Sequence, residues 1–386
     1  MTDFKEEQET GWLRDYLLVC FVRFGVFLAF HQMQPVFPLY LGGMGASSTI
    51  IGAVMGAFTF TATISRLPIG LVIDRFSRKP FLISGLSLFT LAVLGYLWAP
   101  SILFIALFRI LHGIGWSGCT TVTATLTADI APKKRRGELI SYGGVANSVA
   151  AALGPIAGFA LLHRFGYEGT FLGALGIVLL TFVLAWGIRE PAPIIAPAPT
   201  PRNWIDTIAV RDSLLPATTI AFITFGAGGI STFLPLYAIE LGLKNPGLWF
   251  AVFAACLLLS RPIAGPLSDR ISRRAVILPG SIVNLIGLVW IALAPSPSWL
   301  LVGAVITGFG FGAAHPTLMT LAVDQTSDQR RGQSLAQFQL FYDLGIGLGS
   351  MMLGTFLDMT NQNFSAMYLV AAAVGALGLL IYWLRG

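Results

Sequence analysis

Ionisable side chains are rare inside the long apolar runs of this chain, and helical spacing sorts them onto a few faces. Asp343 is the one carboxylate near the middle of such a run, and Gln339 and Gly347 stand four residues to either side. Arg109, His112 and Trp116 share a second face, and Arg23, Phe27, His31 and Gln34 a third, at steps of three and four. Gln32 lies beside the third face, and His315 directly precedes Pro316. An isolated carboxylate in an apolar setting takes up a proton more readily, and a nearby arginine opposes that, so the two together make a site that loads and releases protons. Asp343, Arg109 and His112 are therefore the candidate proton-coupling residues. Arg23, His31, Gln32, Gln34, His315 and Gln339 offer hydrogen bonds to a small molecule. Trp116 and Phe225, with Phe27, Phe30, Phe338 and Phe341, offer it an apolar wall. Each has a plainer reading as a packing or bracing residue, and Arg23 as a snorkelling one. No phosphate-binding glycine loop, metal-ligand cluster or Ser-His-Asp spacing is present. Cys20, Cys119 and Cys256 have neither disulfide nor metal spacing. The expectation is therefore no enzyme activity and no cofactor, with the proton as coupling ion.

The elements that must position these residues follow from composition. Of 386 residues 55% are hydrophobic and 11% charged, against about 25% charged in soluble domains, and mean hydropathy is +0.77. Such a chain uses lipid as its solvent, and at ~20 residues per crossing helix there is room for twelve spans. Apolar runs are read at about 16–41, 50–73, 80–98, 101–127, 139–162, 169–188, 213–239, 247–268, 275–294, 298–322, 333–357 and 364–384. Residues 1–15 form a polar tail, expected to be frayed. Pro191, Pro193, Pro197, Pro199 and Pro201 mark 190–212 as an extended linker. The chain divides into a bundle at 16–189 and a second at 213–386. The net charge of +6 sits in short loops and does not indicate nucleic acid.

The two bundles repeat one another. Ser65, Arg66, Gly70, Asp74, Arg75, Ser77 and Arg78 recur 195 residues on as Ser260, Arg261, Gly265, Asp269, Arg270, Ser272 and Arg273. Asp129 recurs as Asp324, and Gly113 and Gly115 as Gly308 and Gly310. Of the 24 Lys and Arg, 18 lie in the tails and in loops on the side of this signature, two on the other side, and four within or at the ends of spans. That bias places both termini in the cytoplasm.

The repeated Gly-x-x-x-Asp-Arg-x-x-Arg-Lys/Arg loop resembles the signature of the major facilitator superfamily of secondary transporters, with Ser where the usual second Gly stands. Ala150-x-x-x-Gly154-Pro155-x-x-Gly158 is similar to the motif of its drug/proton antiporter branch, with Ala for the first Gly. The resemblance covers almost the whole chain. It implies an all-α membrane protein of two six-helix bundles that moves its substrate by alternating access, with helices one, four, seven and ten lining a central cleft. It implies conformational roles for Gly70, Asp74, Arg75, Arg78, Gly265, Asp269, Arg270, Arg273, Gly154, Pro155 and Gly158, with Asp74 docking at the start of helix eleven. The expected function is proton-coupled efflux of a small amphipathic or polar molecule across a bacterial inner membrane, by a monomer whose partners are the bilayer and that substrate. Proton-coupled uptake of a metabolite and lipid flipping on the same fold are the alternatives.

Overall fold

A computed structural model describes residues 2–73, 76–132, 135–190, 210–327 and 330–385. Asp74 and Arg75 of the first signature loop lie outside the described residues, as does 191–209, most of the Pro-rich linker. The described residues are helical almost throughout: α1 Thr2–Met33, α2 Phe37–Gly43, α3 Ser48–Ile73, α4 Arg78–Leu97, α5 Ile102–Ile130, α6 Arg136–Trp186, α7 Leu214–Glu240, α8 Gly247–Arg270, α9 Arg274–Ala292, α10 Pro297–Asp324, α11 Arg331–Met359 and α12 Phe364–Arg385. Twelve crossing segments result, because α1 and α2 are one span interrupted at 34–36 and α6 is two spans joined at a kink. The kink is at Gly166, whose φ of 70° and ψ of −168° no L side chain adopts at ease. Pro35 and Pro38 lack the amide hydrogens a continuous helix needs there, which accounts for the interruption between α1 and α2. The polar start of the chain is helical from Thr2 and continuous with the first span, not frayed. Its Glu, Gln and Lys are good helix formers, and no Gly or Pro precedes Gly11.

Contacts divide the chain into two compact units. One comprises Met1–Met33 and Thr61–Ala198, the other Gln34–Phe60 and Pro199–Gly386. The end of the first span from Gln34 and the first half of α3 are therefore grouped with α7–α12.

Within the first unit α1 packs on α6, and α4 on α5. Glycine allows these helices to approach backbone to backbone. A Cβ on Gly158 would lie 2.1 Å from the Gln32 carbonyl oxygen, and one on Gly154 2.6 Å from the His31 Cβ. A Cβ on Gly85 would lie 3.0 Å from the Gly115 carbonyl oxygen. The second unit repeats this seam 195 residues on, with a Gly280 Cβ 3.2 Å from the Gly310 carbonyl oxygen. Ser101 and Ser296, also 195 apart, cap α5 and α10 by accepting the amide hydrogens of Phe104 and Trp299, each at 3.4 Å. In the second unit α7 meets α11 through Gly228, Gly345 and Gly349, and the Thr232 and Ser350 hydroxyls bond across that seam at 2.9 Å.

The outward surfaces are apolar. Ile64, Leu103, Val183 and Leu384 are each about two-thirds exposed or more. Ten of the described helices are long and apolar enough to cross a membrane, one of them the kinked Tyr142–Trp186 stretch. In water such faces would drive aggregation; in lipid they are solvated, and the helices satisfy their own backbone polar groups.

Candidate functional site

Polar residues stand within the spans of both units. In the first unit, Arg23, Phe27, Phe30 and His31 lie on a half-buried face of α1. Arg23 donates its Nε to Asn147 Oδ1 on α6 at 2.8 Å, and its guanidinium carbon lies 5.9 Å from the Phe27 ring centre. Trp116 on α5 continues the surface, its ring 4.8 Å from Phe27 and 4.2 Å from Phe30. Arg109 and His112, on the same helix, have no exposed surface. The Tyr96 hydroxyl lies 3.1 Å from His112 Nδ1 and 3.2 Å from the Phe108 carbonyl oxygen, and Tyr96 also interacts with Arg109. A hydroxyl has one proton to give. When Tyr96 donates to Phe108, His112 must donate through Nδ1, leaving Nε2 as its acceptor.

Gln32, expected beside a substrate, is instead 1% exposed and donates Nε2 to the Thr170 carbonyl at 2.8 Å, tying α1 to the second arm of α6. Gly154, Pro155 and Gly158 belong to that same seam between α1 and α6.

In the second unit Asp343 is half-buried on α11 and accepts from Gln339 Nε2 at 3.1 Å, one turn back. It lies off the seam with α7, where Thr224 donates to the Tyr342 carbonyl at 3.0 Å. His315 packs within rings from three sides: Phe311 at 5.4 Å, Tyr342 at 5.1 Å and Phe338 at 5.9 Å. Phe225 is 8% exposed, and its carbonyl faces Gly349, so it serves the α7–α11 seam. Gln34 falls in the break between α1 and α2 and belongs to the second unit.

The signature loops are built alike. Arg78 Nε pairs with Asp129 Oδ2 at 3.2 Å, and Arg273 Nε with Asp324 Oδ2 at 3.0 Å, the same pair 195 residues apart. Lys79 Nζ donates to the Trp186 carbonyl, and Arg274 Nη2 to the Trp383 carbonyl, each across to the last helix of its bundle. Arg273 also bonds Asp269. Burial works against its charge, but the carboxylates of Asp269 and Asp324 outweigh that and hold its pKa above the ordinary value. Among the described residues nothing lies within 4 Å of where a Cβ on Gly70 or Gly265 would go, and Arg270 is exposed.

Several participants carried no signal in the sequence. Glu190, at the edge of the linker, accepts the amide hydrogens of Arg78 and Lys79 and so caps α4. Asp358, at the end of α11, accepts those of Ser48 at 3.0 Å and Thr49 at 2.8 Å and caps α3. Both are caps supplied from distant parts of the chain, so no local spacing announces them. Asn147 and Tyr96 escaped notice because uncharged residues in spans are common.

The family model of the Major Facilitator Superfamily matches residues 17–248 and 245–386. The chain belongs to that superfamily. This facilitator is 27% identical over 387 residues to YhhS of Escherichia coli (strain K12), described as an uncharacterized MFS-type transporter, a match that takes in 96% of this chain and 92% of that one. Its fold is similar to that of a bacterial homologue of the human lysosomal transporter Spinster, with TM-score 0.82, 16% identity and coverage of 97% and 96%. It is also similar to a mutant form of the nucleoside transporter NupG, with TM-score 0.79, 11% identity and coverage of 96% and 99%. The chain is thus an integral membrane transporter with the major facilitator fold, twelve helices in two bundles of six.

Proposed function

We propose that this facilitator couples proton movement to the export of a small amphipathic or polar molecule across the bacterial inner membrane by alternating access, with both termini in the cytoplasm. The observation that carries the reading is Asp343. It is the only acid at mid-span, half-buried, and held at one oxygen by the neutral Gln339. A half-buried carboxylate at mid-span can change charge as its access to solvent changes. Arg109 and His112 supply a second buried polar group, linked through Tyr96, that can respond to the same cycle. The direction, export against proton entry, is supported by the similarity of Ala150–Gly158 to the antiporter motif. The abundance of Lys and Arg in the signature-side loops supports the orientation.

The test is proton flux in proteoliposomes. An imposed pH gradient drives substrate one way and protons the other for the native chain. Asp343→Asn loses gradient-driven transport by at least about 10-fold while keeping substrate exchange at equal pH, since the neutral amide mimics the protonated state. Protons and substrate moving in the same direction would replace export with uptake. Full gradient-driven transport in Asp343→Asn would remove Asp343 from the mechanism.

A further inference from the structure

We infer that the transported molecule is an organic anion whose charged group rests on Arg23 and whose apolar or aromatic body lies on Phe27, Phe30 and Trp116. This rests on the transport reading and assigns its substrate class. Arg23 sits on the half-buried face of α1. Among the described residues its guanidinium donates only through Nε, to Asn147, and its Nη1 lies 3.8 Å from where a Cβ on Gly143 would be. The Thr127 hydroxyl beside it donates to the Thr123 carbonyl at 2.7 Å, so it does not engage a ligand as a donor. A guanidinium with paired donors free is shaped for a carboxylate or phosphate.

Charge in the first bundle points the same way. Between Asp15 and Asp129 the sequence holds a single acid, Asp74 in the signature loop, whereas Arg23 lies within the first span. From Arg136 to Arg189 there are two acids, Glu138 in the first turn of α6 and Glu168 beyond the Gly166 kink. A cationic molecule brought to Arg23 would meet like charge, whereas an anion meets its counter-charge. One helical turn further along α1 the aromatic surface begins, with Phe27, Trp116 and Phe30 in ring contact at 4.8 and 4.2 Å. The site therefore reads a charged head and an apolar body about a turn apart. The inside-negative membrane potential also favours the exit of an anion over that of a cation.

An isosteric charge series tests this on the purified chain in detergent. The probes are 1-naphthoate, neutral 1-naphthamide and cationic 1-naphthylmethylammonium, and the readout is saturable quenching of tryptophan emission. The native chain binds naphthoate at least about 10-fold more tightly than naphthamide, in keeping with one charge-assisted contact, and the ammonium compound least. Arg23→Gln abolishes that preference while naphthamide binding is unchanged, Arg23→Lys restores part of it, and Trp116→Phe weakens all three. Native-like elution and melting of Arg23→Lys guard against misfolding. Tightest binding of the ammonium compound, or an intact naphthoate preference in Arg23→Gln, would overturn the inference. Proton-driven flux of the cation would leave coupling intact and remove the anion site; naphthoate binding without proton-driven flux would do the reverse.

Discussion

Arg78–Asp129 and Arg273–Asp324 are the same ion pair made twice, yet the surroundings give them different weights. The Arg78 side chain is 8% exposed and its partner 28%, against 24% and 47% for the second pair. Arg273 keeps Asp269 when Asp324 is lost. Exposed pairs contribute at most ~1 kcal/mol, whereas stranding a buried charge costs about 3–5 kcal/mol. Asp129→Asn should therefore destabilise the protein by about 1–2 kcal/mol more than Asp324→Asn, after allowance for the partial exposure of Asp129. Thermal unfolding followed by size-exclusion recovery measures the difference; equal losses would mean that the two loops are held by something other than these pairs. Sequence spacing placed all four residues in repeated positions but did not pair them, because the partners come from loops about fifty residues apart. Asp343 was legible for the opposite reason: a mid-span acid stands out wherever its neighbours are.

Helix packing decides which glycines matter. Gly158 and Gly70 both fall in the motifs that carry the resemblance, but a methyl group at Gly158 would meet the Gln32 carbonyl at 2.1 Å while one at Gly70 meets nothing within 4 Å among the described residues. Overpacking a backbone contact costs about 1–3 kcal/mol or more. A helical Gly→Ala change with room for the methyl group is neutral or stabilising by about 0.5–1 kcal/mol, and Gly70 is only half-buried. Gly158→Ala should accordingly lower the melting temperature by several degrees or abolish folding, and Gly70→Ala should leave it unchanged. Transport lost in Gly70→Ala with normal melting would assign Gly70 to the working cycle and not to packing. The order and extent of the helices were readable from apolar run length, and the repeat from a constant offset. The readings that failed did so at contacts between helices. Gln32 looked like a ligand group because it neighbours a polar face, but α1 turns it into the seam with α6, where Thr170 takes its amide. The α1–α2 break and the α6 kink depend on single Pro and Gly residues whose effect composition does not predict.

At the scale of the molecule, the division into units passes through α3, whose first half groups with α7–α12 while its second half groups with α1 and α4–α6. What fastens that first half is a cap from the end of α11. Asp358 accepts the amide hydrogens of Ser48 and Thr49, two donors at the start of α3 that no earlier residue of the helix can satisfy. Gln362 holds the arrangement by donating to Asp358 at 3.1 Å and accepting from the Ser48 hydroxyl at 2.8 Å. It does so from a left-handed backbone with φ of 64°, next to Asn361 with φ of 52°. Non-glycine residues in that region cost of order 1 kcal/mol each and persist where surrounding contacts hold them. The carboxylate is therefore the keystone of the N-terminal end of α3, and its effect should be local. Asp358→Ala removes two charge-assisted bonds, and a loss of about 2 kcal/mol in local opening free energy corresponds to ~30-fold faster exchange. Hydrogen–deuterium exchange in detergent should show that acceleration over residues 48–60 alone, with α9 and α10 of the same unit unchanged. Asp358→Asn should fall between, since an amide oxygen still accepts one bond but carries no charge for the helix end. Uniform acceleration across the second unit would show that Asp358 supports the whole bundle; no acceleration at all would mean that the glycine contacts of Gly52 and Gly56 with α11 suffice to hold α3.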